Sequence, residues 1–132
     1  MELVQSRLTE IFILIFLAIT FIQSGLDKII DWKGNLEWLQ GHFKKTFLHA
    51  QVPLLLGVIT ILEVLTGILS ALSVILILVG SISIIPLLSV SLAAITLLML
   101  FFGQRVAKEY AGAFTLTGYF IIALWGIYLL SH

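Results

Sequence analysis

Four long, almost unbroken apolar stretches organise this chain: about Leu8–Ile30, Val52–Val79, Ile82–Phe102 and Phe114–Leu130. Each is near or above the ~20 residues an α-helix needs to cross a bilayer. A bilayer core admits only helices and closed barrels, because every backbone N–H and C=O there must be bonded internally. The alternating segments of about 10 residues that mark a barrel are absent. With 61% of its 132 residues hydrophobic, a chain this short could not hide its apolar surface from water. The sequence therefore predicts an all-α integral membrane protein with a single domain over residues 1–132.

The connections specify more. Gly80–Ser81 leaves so short a link that the second and third spans must be neighbours running in opposite directions. Pro86 is placed to end or kink the start of the third. The expected product is an up-down bundle of four helices. The link between the first two spans is longer and patterned. Trp32, Leu36, Leu39, Phe43 and Phe47 recur at helical spacing. Lys33, Glu37, Gln40, Lys44 and Lys45 fall on other faces. This predicts a short amphipathic helix in the membrane interface, with Gly41 as a candidate break. It either packs over the end of the bundle or acts as a lid for a lipid-borne molecule.

Charge sets the expected orientation. Of the seven Lys and Arg residues, Lys28, Lys33, Lys44, Lys45, Arg105 and Lys108 fall on one side, and Arg7 on the other. The positive-inside rule puts the loops 31–51 and 103–113 in the cytoplasm and both termini outside. The first span, preceded by Glu2, Arg7 and Glu10 rather than a basic cluster, reads as a retained signal anchor. Arg7 and Glu10 are three apart and placed to pair. A net charge of zero gives no sign of nucleic acid binding. The absence of cysteine excludes thiol redox chemistry and thiolate metal sites in this chain. His42 and His49 are too far apart in sequence for a helical ligand pair, and no metal site is expected.

Glu63 is the chemical exception. It lies about 16 Å along the second span at 1.5 Å per residue, and a carboxylate inside a membrane segment is costly unless it faces protein or a wet cavity. Gly57, Thr60, Glu63, Gly67 and Ser70 form a stripe of small and polar residues that should face other helices. Glu63 is then either a structural link between helices, or a proton acceptor or head-group ligand in a buried pocket. Gln23 and Lys28 near the end of the first span, with Gly25 for close packing, are the candidate companions of Glu63 and Thr60. Lys28 either snorkels to the surface or reaches inward toward a carboxylate. Gln104, Arg105, Lys108 and Tyr110 cluster two cations, an amide and a phenol beside the membrane. They anchor the loop or hold an anionic head group or a partner's carboxylate. On the fourth span, Thr115, Gly118, Ile122 and Gly126 form the expected packing face, with Tyr119, Trp125 and Tyr128 elsewhere.

Phe21-x3-Gly25-x2-Lys28, Glu63-x3-Gly67 and Gln104-Arg105-Val-Ala-Lys108-Glu-Tyr-Ala-Gly112, in that order on a four-span chain, resemble the DoxX family of small bacterial membrane proteins. The resemblance implies a bacterial inner-membrane protein linked to quinone-dependent oxidoreductase systems. In it Gly25, Lys28, Glu63 and Gly67 occupy motif positions. The expected role is an accessory subunit with no cofactor of its own, lodged among membrane lipid beside a partner oxidoreductase subunit and a bound quinone or lipid. The alternatives are a structural anchor or assembly factor, and a carrier of a lipid or small amphiphile, including one built by a homo-oligomer around a path.

Overall fold

The computed structural model describes residues 7–131; Glu2 and His132 lie outside them. Among the described residues there are five α-helices and no strand: α1 (Leu8–Ile30), α2 (Trp32–His42), α3 (Val52–Leu78), α4 (Ile85–Val106) and α5 (Tyr110–Leu130). A 3₁₀ turn, His49–Gln51, leads into α3. The four longer helices are each long and apolar enough to cross a membrane, as a multi-pass membrane protein requires.

Several boundaries differ from those the sequence suggested. Pro86 opens α4 rather than kinking it, because a first-turn proline has the right φ and lacks only an N–H the helix would not bond. The link between α3 and α4 spans residues 79–84, with Gly80 at φ 76° supplying its turn. The supposed loop 103–113 is mostly helix: α4 runs on to Val106 and α5 starts at Tyr110. Gln and Arg are good helix formers, so their polarity ends the apolar run without ending the helix. α2 stops at His42, where Phe43 N–H caps onto Leu39 O at 2.9 Å. Phe43 and Phe47 therefore lie outside the helix whose face they were expected to extend.

Burial on α3 favours its polar side chains over many of its large apolar ones. On α3 the buried positions include Thr60, Glu63, Thr66, Ser70 and Ser73, while Leu54, Ile61, Leu65, Ile68, Leu72 and Ile75 face outward. Polar side chains gain by meeting other helices, and apolar ones lose nothing in lipid. The buried hydroxyls close on their own helix: Thr60 donates to Leu56 O at 2.7 Å and Thr66 to Leu62 O at 2.6 Å. Ser73 donates to Leu69 O and Thr96 to Leu92 O. Ser70 and Ser89 bond across from α3 to α4 at 2.6 Å. An apolar cluster centred on Leu14, Leu17, Phe21, Ile77, Val90, Ala93, Leu97 and Ala123 joins all four long helices.

Two glycines bring α1 and α3 into backbone contact. A Cβ on Gly25 would lie 2.7 Å from Val64 Cγ2, and one on Gly67 would lie 2.9 Å from the Ile22 backbone nitrogen. Residue numbers rise along one helix as they fall along the other. The same holds for α4 and α5, where Gly112 meets Gln104 and Gly126 meets Val90.

Candidate functional site: a buried lysine–glutamate pair beside an apolar groove

The close seam between α1 and α3 carries an acid–base pair that links two of the long helices. Lys28 Nζ lies 2.8 Å from Glu63 Oε1, with side-chain exposures of 17% and 1%. Lys28 also donates to Ser24 Oγ at 2.8 Å, one turn back on α1. The inward alternative for Lys28 is therefore the one realised. Oε1 is fully buried, and the Lys28 ammonium is the cation that faces it.

The pair can form because α1 and α3 begin and end at different levels. Lys28 stands two residues from the end of α1, whereas Glu63 stands eleven residues into α3. The first turns of α3 continue past the end of α1, and α2 packs against them. There Trp32 lies over Gly57: a Cβ on that glycine would meet the indole at 3.8 Å.

Between α1, α2 and α3 runs an open groove of about 620 Å³, lined by Ile29, Trp32, Gly57, Thr60, Val64 and Ile68 among others. Its wall is almost wholly apolar. Thr60, one turn before Glu63, supplies a hydroxyl whose proton is committed to Leu56 O. Its free lone pair can only accept. Gly57 and Thr60, expected on the seam, line the groove, Thr60 being buried as well, whereas Glu63, Gly67 and Ser70 are buried and do not line it. Gln23 does not join them. It is exposed, because about 100° per residue turns it away from the face holding Phe21, Gly25 and Lys28.

At the basic end the sequence candidates separate. Arg105 stacks over the Tyr110 ring at 4.7 Å, a cation–π contact. Gln104 folds against Gly112, with its Oε1 buried and unbonded. Lys108 lines a crevice with Gly41, His42 and Lys44 to Phe47. His42 Nε2 and Glu109 Oε2 lie 2.7 Å apart, tying α2 to the residue before α5. Nothing local in the sequence signalled that contact, since the two residues are 67 apart. Arg7 and Glu10 pair at 2.7 Å as their spacing suggests.

The expected packing face of α5 is displaced. Gly126 is buried against Val90 and Ile13, but Gly118 has no neighbour within 4 Å and Thr115 is exposed. The buried line passes through Ala113 and Ala123. Tyr119, placed elsewhere by the sequence, packs on the core beside Phe16 at 5.8 Å between ring centres. The helix is apolar on every side, so its sequence carries no amphipathic signal to fix the face. No cluster of three metal-ligating side chains occurs among the described residues. Comparison of the chain with protein-family models, curated proteins and solved structures found no match.

Proposed function

We propose that this protein is a DoxX-like accessory subunit of a quinone-linked membrane oxidoreductase system, holding a lipid-borne quinone beside the Lys28–Glu63 pair. The observation carrying the reading is an intramembrane lysine–carboxylate pair whose acid is buried one turn from an apolar groove. Trp32, Ile29, Val64 and Ile68 offer an isoprenoid-bearing ring a flat apolar wall, and Thr60 offers an acceptor for a ring hydroxyl. A quinone would supply two-electron redox chemistry. The chain's part is to admit the ring from lipid, exclude water and hold charge at Lys28 and Glu63. Two of the motif segments, residues 21–28 and 63–67, pack on one another at the α1–α3 seam.

The reading includes a topology. The opposed registers of α1 with α3 and of α4 with α5 support an up-down bundle. α2 has no buried residue and carries exposed Trp32 and Trp38 beside Lys33 and Glu37, which suits the interface of a bacterial inner membrane. The cation bias then places α2 and the α4–α5 turn in the cytoplasm. A structural anchor is the second reading, favoured by the way Lys28–Glu63 itself fastens α1 to α3.

The test is quinone content after gentle purification, with quinone-linked turnover in native membranes. Gly57→Leu fills the groove without touching the ion pair, and Glu63→Gln removes the carboxylate while leaving the groove. Both should deplete quinone and turnover while the purified bundle stays helical and monodisperse. Wild-type quinone content in both variants would refute the binding role and leave the anchor.

A further inference from the structure

Two turns distant in sequence enclose a second cavity, unconnected with the quinone reading. Gly41 and His42 at the end of α2, Lys44 to Phe47 after it, and residues 106–108 at the end of α4 line a crevice of about 640 Å³. Lys44, Lys45 and Lys108 line it together, and no carboxylate does. The acid of the α4–α5 turn, Glu109, is occupied by His42, and that contact closes the two turns on one another. Three ammonium groups sharing one wall repel each other, so the arrangement is set for an anion. The rest of the wall includes Phe47, Val106 and Ala107, and Phe47 is 74% exposed.

Lys108 adds an independent sign. Its φ is 61°, the one non-glycine residue with positive φ among those described. Left-handed backbone at a helix C-terminus is the usual place of glycine, because a Cβ there meets the carbonyl. The turn has that form: Lys108 N–H bonds to Arg105 O, and Glu109 N–H to Gln104 O at 2.8 Å. A lysine at the glycine position of such a turn costs stability and sets a third cationic residue on the crevice wall. Strain of this kind concentrates at ligand sites.

We infer that the Lys44–Lys45–Lys108 crevice binds the phosphodiester head group of an anionic phospholipid, with Phe47 and Val106 against its glycerol and upper acyl carbons. The crevice adjoins the end of a helix long enough to span the membrane, at the level where lipid phosphates lie. Lysine binds phosphate as a point charge. Each cation near an anionic membrane surface contributes about fivefold in affinity.

The experiment uses the full chain in zwitterionic detergent, titrated with phosphatidylglycerol or phosphatidylcholine and read by native mass spectrometry. Wild type should prefer phosphatidylglycerol. Lys44→Gln with Lys45→Gln should weaken its binding by about 25-fold, and Lys108→Gly by about fivefold. Lys108→Gly should also raise the melting temperature, so its loss of lipid cannot be ascribed to misfolding. Lys33→Gln, on α2 but outside the crevice, should bind as wild type. An unchanged lipid preference in the crevice variants, or an equal loss in Lys33→Gln, would overturn the proposal. So would saturation by millimolar inorganic phosphate with no preference between the two lipids, which would mark a site for free phosphate.

Discussion

Removing Lys28 should damage the bundle more than removing the charge of Glu63, and removing both should restore part of the loss. Lys28→Met leaves a carboxylate that is 1% exposed and without a cation. Breaking a buried pair in that way costs about 3–5 kcal/mol. Glu63→Gln leaves instead a lysine that keeps the Ser24 hydroxyl, is 17% exposed and sits two residues from its helix end. Its flexible stem can carry the ammonium toward the groove or the surface. Its cost should fall nearer 1–2 kcal/mol, the range of a lost charged hydrogen bond. In the double variant no charge is stranded, and the neutral amide left at position 63 costs only what an unpaired buried polar group does, about 1–3 kcal/mol. The coupling in the cycle should then be about 2 kcal/mol or more and favourable. Reversible unfolding in mixed micelles, followed by circular dichroism, measures all four proteins. Additive costs, or Glu63→Gln costing more than Lys28→Met, would show that the pair is not the tie described and that the two groups act separately.

Gly67→Ala should loosen α1 from α3 by about 1–3 kcal/mol, because the new Cβ meets the Ile22 backbone at 2.9 Å, which no rotamer change relieves. Gly118→Ala, with nothing within 4 Å, should leave stability unchanged or slightly raised in the same unfolding assay. Ser70→Ala should cost only about 0.6 kcal/mol despite its 2.6 Å bond to Ser89, since hydrogen bonds between membrane helices average little more; a loss above 2 kcal/mol would mean the bond pins α3 to α4.

The spans were legible because membrane insertion is written in length and hydropathy, properties of single segments. Faces were legible where small or polar residues interrupt the apolar background. Thr60, Glu63, Gly67 and Ser70 on α3 came out buried as a stripe, and Gly25 met Val64 as its position implied. Where the background is uninterrupted, as on α5, the chosen face depends on the neighbouring helices, and the sequence pointed to Gly118 wrongly. Helix ends beside charged residues were also misjudged, because Gln104 and Arg105 leave the apolar run without leaving the helix.

The Lys28–Glu63 contact depends on something no segment records: how far one helix extends beyond its neighbour. If α1 and α3 ended at one level, Lys28 would meet the first turn of α3 and Glu63 would be left without a cation. The glycines at 25 and 67 set that stagger, by fixing which turns can touch at backbone distance. Trp32 then fills the space below the end of α1, and the groove is what it leaves open. Moving the pair therefore requires moving the seam. A glycine shifted by one turn on α3 should disturb the ion pair and the groove together, whereas substitutions within the groove should spare the pair.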